Sequence, residues 1–260
     1  MNSTTVRSLL VRGMLAGLVA GLLALVVAYF LGEPRIDAAI AYEDSHSHEH
    51  EMEIVSRSLQ STAGLATGVL IFGVSLGGIA ALAFCFALGR VGRFTPRATA
   101  ALISGAALLT VYLVPFLKYP ANPPSVGDPD TIGKRTTLYF LMIALSVLLG
   151  VAAVILGKRL APRLGAWYAS VTAGGAYVLA IGLAYAFLPT INEVPADFSP
   201  SLLWQFRVSA VAIQLTLWTA FALAFGYLAE RVLLPRPAGS AVSEANSDSD
   251  TAARTAASTG

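Results

Sequence analysis

The 260-residue chain is short of charge. Asp, Glu, Lys and Arg make up 12% of it, about half of what a soluble domain carries. A surface that faces water cannot be built from so little. There is one cysteine, Cys85, so no internal disulfide can form and a secreted disulfide scaffold is excluded. The net charge of +2 is too small to imply a nucleic-acid partner. The sequence has no G-x-x-x-x-G-K-[ST] stretch, so the chain does not itself hydrolyse ATP in the P-loop manner. H-E-x-x-H and C-x-x-C are missing as well.

Apolar residues are abundant: 56% of the chain is hydrophobic and mean hydropathy is +0.69. A membrane helix needs about 20 mostly apolar residues, because the hydrocarbon core is ~30 Å thick and each residue rises ~1.5 Å. Six stretches meet this: Leu9 to Leu31, Gly64 to Leu88, Thr99 to Leu117, Thr137 to Leu156, Ala166 to Leu188 and Val208 to Leu228. The expected fold is therefore all-α: a polytopic integral membrane protein with six transmembrane helices over residues 1–235. The first run is too long for a signal-peptide core and lacks an A-x-A exit, so it reads as a retained span. After Pro237 the chain is rich in Ala, Ser and Thr with no apolar period, which predicts a disordered tail over residues 236–260.

Orientation follows from the basic residues. Eleven of the seventeen fall on the side that holds the N-terminus, the loops after spans two and four, and the C-terminus. Both termini are thus expected in the cytoplasm. The acids lean the other way, with eleven of fifteen outside, where all three histidines also lie. An acidic outer face raises the local concentration of cations, although acids also translocate easily and weigh little in topology.

Glycines repeat at four-residue spacing in span one (Gly13, Gly17, Gly21) and in span two (Gly64, Gly68 and Gly73, Gly77). Small residues at this spacing let helix backbones approach closely, which predicts packing within the chain. The predicted spans hold no carboxylate or histidine, the usual marks of an ion pathway. The soft ligands inside them, Met14, Cys85 and Met142, read as packing. Polar span residues such as Thr110, Tyr112, Ser146 and Tyr177 either line a passage or bond neighbouring helices.

Two outer segments carry chemistry. The first, residues 33–60, contains Glu43, Asp44, His46, His48, Glu49 and His50. In an extended chain the three imidazoles share one face; in a helix His46 and His50 stand one turn apart. Either way nitrogen and carboxylate ligands suit a borderline divalent metal. A flexible, solvated segment fits capture better than a permanent structural ion, and the alternative is a polar linker. The second, residues 118–136, has four prolines and two glycines, which makes it a shaped loop. Tyr119, Asn122, Asp128 and Asp130 are its candidates for the mouth of a passage, with turn formation the competing role for Asp and Asn. Pro115 is expected to kink the end of span three.

The stretch YPANPPSVGDPDTIGKRT, the six-span layout and the histidine segment after span one resemble the CbtA family of proposed cobalt transporter subunits, from the first span to about Pro235. The resemblance implies uptake of divalent cobalt for cobalamin supply, in the bacterial cytoplasmic membrane, with a small single-span partner called CbtB. It implies a permease component and not an enzyme, with no permanent cofactor beyond the transported metal. Two alternatives stay open: a membrane-embedded metal-binding or assembly factor that moves nothing, and a membrane enzyme acting on a lipid or quinone.

Overall fold

The computed structural model describes residues 2–46 and 55–234, and every regular element among them is helical. Helix α1 (Ser3–Val27) runs through a π-helical segment, Ala28–Gly32, into α2 (Glu33–His46). The short α3 (Arg57–Leu59) leads through a second π segment, Gln60–Gly64, into α4 (Leu65–Ala87). Helix α5 (Pro96–Ala107) passes through a third, Leu108–Leu113, into α6 (Val114–Lys118). A 3-10 turn, Pro129–Thr131, precedes α7 (Ile132–Phe187), and α8 (Pro200–Leu233) closes the bundle.

Five helical runs, rather than the six expected, are long and apolar enough to cross a membrane. The fourth and fifth predicted spans share one run, Pro129–Phe187, of 59 residues. Straight, it would reach roughly 90 Å. It is not straight: Gly165, at φ 76° and ψ 162°, leaves the helical region. Beyond it the chain doubles back. The Ser146 and Tyr177 hydroxyls are 2.8 Å apart, and a Cβ on Gly157 would stand 3.3 Å from that of Ala173. The basic connection expected around Lys158 to Arg163 is thus helix up to a one-residue reversal, which glycine alone makes without strain.

The 33–60 segment departs from expectation in the same direction. It is helical as far as His46, although Pro34 sits at its start. Proline lacks an N–H and its ring collides with the carbonyl four residues back. Here the preceding turn is widened, so that the Glu33 N–H bonds Ala28 O, five residues back. Pro115 is handled identically: Val114 N–H bonds Leu109 O. In both places a π segment ends two residues before the proline and lets the helix continue. Proline is instead a starter at Pro96 and Pro200, each behind a capping hydroxyl: Thr95 accepts from Ala98 N and Ser199 from Leu202 N.

Helix α1 packs on α4 and α8, and α5 packs on α8. The α1–α4 seam is made of glycine backbone: a Cβ on Gly17 would stand 2.1 Å from Gly73 O, and one on Gly77 2.3 Å from Gly13 O. The repeats therefore meet within the chain. Around the seam, Phe84 meets Phe225 edge-on at 5.1 Å, and Phe225 stacks on Phe221 at 5.2 Å. The α7 hairpin joins this bundle through α6, by a second cluster of Val114, Met142 and Ile181. Large apolar side chains ring the outside, Phe86 at 72%, Trp167 at 75% and Phe187 at 85% exposure among them. Water would not tolerate such a girdle; lipid does.

The two ends differ. At one, Lys158 donates to Arg90 O, Arg97 pairs with Glu230 at 2.5 Å, and Arg97 and Arg231 lie over Tyr227. The other gathers α2, the 119–131 loop and the 188–199 connection.

Candidate functional site

At that second end, Ala39, Val126 and Phe198 form a small core, with Tyr42 edge-on to Phe198 at 5.0 Å. Ser125, at φ 63°, donates to Ala39 O at 3.2 Å. The proline-rich loop is thereby fastened to α2. On its other side Tyr119 donates to Pro189 O at 2.9 Å. The loop is a built lid, as its proline and glycine content implied.

The candidate residues divide. Tyr119 and Asn122 line a cavity of about 500 Å³ together with Arg135, Thr136, Tyr139, Asn192, Glu193 and Arg207. Asn122 turns its oxygen to Arg207 Nη2, at 3.0 Å. Asp128 caps the 3-10 turn, its Oδ1 accepting from Asp130 N at 2.9 Å. Asp130 is exposed. Glu43 and Asp44 are exposed on the last turns of α2, and His46 is its final residue. His48, Glu49 and His50 lie outside the described residues. Among the described residues no three His, Cys, Asp or Glu side chains gather as a metal site. The soft side chains do not converge either, since Cys85 packs on the main core and Met142 sits in the α6–α7 cluster.

Glu193, read in the sequence only as one more outer acid, organises the lid. Its carboxylate accepts from Thr131 Oγ1 at 2.7 Å and from Asp128 N at 2.9 Å, and Arg135 stands 3.4 Å away. The hydrogen bond from Thr131 is the main cause that holds its pKa below the ordinary 4.5, followed by the Asp128 N–H, with Arg135 and Lys134 adding to it against a partial opposing effect of burial. The stability this contributes is present above pH 4.5 and is lost as pH falls through the lower folded value. A melting profile against pH should therefore lose an acid-side slope in Glu193→Gln. An unchanged slope would show that this carboxylate does not hold the lid.

Glu33 is nearly buried, and Arg57 reaches it while Arg57 Nε donates to Asp37 Oδ1 at 2.9 Å. Two carboxylates one turn apart on α2 thus hold one guanidinium from α3. The spacing of Glu33 and Asp37 was the available signal; the partner, twenty residues on, was not.

Below the cavity, polar groups of the hairpin meet the α5–α6 arm. Tyr112, in the third π segment, has a buried hydroxyl with no hydrogen-bond partner among the described residues. Ser146 bonds Tyr177, Tyr185 donates to Val114 O, and Lys118 donates to Tyr185 O at 2.8 Å.

A family model described as "Probable cobalt transporter subunit (CbtA)" matches residues 6–230 of this chain. No curated protein and no solved structure matches it.

Proposed function

The chain belongs to the CbtA family of probable cobalt transporter subunits, and from that premise we propose that it is the membrane-embedded permease component for divalent cobalt uptake. The match across residues 6–230 carries this reading. The helices and their apolar girdle fit a multi-pass membrane protein.

In this reading the two arms of the Gly165 hairpin each cross the bilayer, which makes six crossings. The end bearing Arg90, Arg97, Lys158 and Arg231 faces the cytoplasm, with both termini, by the positive-inside rule. The membrane is the bacterial cytoplasmic membrane. Cobalt is gathered outside by Glu43, Asp44, His46, His48, Glu49 and His50, whose nitrogen and oxygen ligands suit it. Tyr119, Asn122, Asp128 and Asp130 belong to the lid beside which the metal enters. The passage runs between the hairpin and the α5–α6 arm, past Tyr112, Ser146 and Tyr177. π turns of the kind that holds Tyr112 are frequent at functional sites. With no carboxylate or histidine in the predicted spans, the driving force comes from a partner, for which the single-span CbtB is the candidate.

Uptake of radioactive cobalt by cells expressing the chain with that partner tests the capture step. Changing His46, His48 and His50 together to Ala should cut uptake several-fold at limiting cobalt and little at saturating cobalt. Equal uptake at both concentrations would remove the histidines from the mechanism.

A further inference from the structure

The cavity under the lid has the wrong sign for a bare cation. Its charged lining is Arg135, Arg207 and Glu193. Arg135 is compensated: it lies 3.4 Å from Glu193 and donates to Asp128 O at 3.2 Å. Arg207 is not. Among the described residues no carboxylate stands within ion-pair distance of it. Its partners are neutral oxygens, Ala121 O at 3.3 Å from Nε and Asn122 Oδ1 at 3.0 Å from Nη2. Those two bonds fix the guanidinium plane and leave Nη1 without a partner among the described residues. The side chain is half-buried. A partly desolvated cation without a counter-charge is costly, and it persists where something supplies the missing negative charge.

The rest of the lining agrees with an anion. Tyr139, Thr136 and Asn192 add hydroxyl and amide donors, while Val126, Ile132 and Phe140 form apolar walls. A volume of about 500 Å³ is in the range of small-molecule sites.

We propose that this cavity binds a carboxylate- or phosphate-bearing anion, its charged group set against Arg207. Arginine's fork matches both groups, and charge-assisted bonds of this kind are the strong ones. The anion comes from one of two sources, a soluble polycarboxylate or phosphate, or the headgroup of an anionic lipid. This site uses none of the histidines and stands whether or not the cobalt reading does.

The test uses the full chain, purified in neutral detergent and titrated with citrate and with inorganic phosphate by calorimetry. In parallel, nanodiscs of phosphatidylglycerol and of phosphatidylcholine are compared by lipid retention in native mass spectrometry. Saturable binding of citrate or phosphate assigns a soluble anion. Retention of phosphatidylglycerol over phosphatidylcholine, without soluble binding, assigns a lipid headgroup. In either arm Arg207→Gln should weaken binding about tenfold or more, with Arg207→Lys in between. Thr136→Trp fills the cavity from an exposed position and leaves the Arg207 bonds alone; it should abolish binding while the melting temperature holds. It keeps the test decisive if Arg207→Gln does not fold. No binding in either arm, or binding that Thr136→Trp leaves intact, overturns the proposal.

Discussion

Gly17→Leu is expected to leave no monodisperse protein after detergent extraction. Even a Cβ at this position would lie 2.1 Å from Gly73 O and 2.9 Å from Gly73 C. Both are backbone atoms of the facing helix, and neither can turn aside as a side chain would. Helices α1 and α4 would have to separate along the whole seam, losing the close contact that replaces the hydrophobic effect in lipid. The loss should reach about 4 kcal/mol or more, at the rare end for single substitutions. Gly77→Leu should behave alike, from the other helix. Gly68→Leu is the control: it belongs to the same kind of repeat, yet a Cβ there meets nothing within 4 Å. Size-exclusion profiles of fluorescent fusions separate these cases. A monodisperse Gly17→Leu would mean that the two helices do not meet through their glycines.

Arg57→Gln should cost about 2 kcal/mol. Removing one partner of a fully buried ion pair costs about 3–5 kcal/mol, because the other charge is left stranded. The side chain of Glu33 is 8% exposed but that of Arg57 is 26% exposed, so solvent screens part of the interaction. The effect is not confined to stability. Glu33 and Asp37 lie before the histidine segment and Arg57 lies after it, so the pair ties together the two sides of that segment. Glu33→Gln with Arg57→Gln should be milder than the sum of the single changes, since the charge left behind is that of Asp37, 60% exposed and solvated, and no buried lone charge remains. Thermal unfolding of the four proteins forms the cycle. Full additivity would show that the pair is not coupled.

The helical class and the apolar runs were legible in the sequence, because lipid imposes length and composition on whatever crosses it. The glycine repeats were legible only in part. Gly13, Gly17, Gly73 and Gly77 carry the seam, whereas Gly64 and Gly68 show the same spacing, and a Cβ there would meet only Leu59 O, five residues back, or nothing within 4 Å. Spacing says which residues share a face, and not which face finds a partner. The way Pro34 and Pro115 are accommodated was not legible: a proline is compatible with a continuing helix when the turn before it widens, and no residue type announces a π turn. The α7 reversal falls between the facing ends of two predicted spans, Leu156 and Ala166, and only its form was hidden, because one glycine does the work of a loop. At the outer end, Tyr119 and Asn122 were legible as residues of a shaped loop. Arg207 and Glu193 were visible only as charges to be counted for topology. Their signal was position: Arg207 stands alone at the head of an apolar run, on the side where basic residues are scarce.

The widened turn at Ala28–Gly32 also sets an angular phase. Each helical residue turns by about 100°, and a π turn holds one residue more than the pattern on either side. The glycine face of α1 and the carboxylate face of α2 are therefore indexed separately, though they share one unbroken helix. Removing a single residue from this segment would restore a regular helix at the same azimuth, whereas removing one from the regular helix just before it would turn everything beyond by that angle. In the second case Glu33 and Asp37 would swing off Arg57 and Tyr42 off Phe198, while Gly13 and Gly17 stayed in their seam. The widened turn thus lets the first helix carry one residue more between its seam and the outer chemistry without changing the direction in which that chemistry is presented.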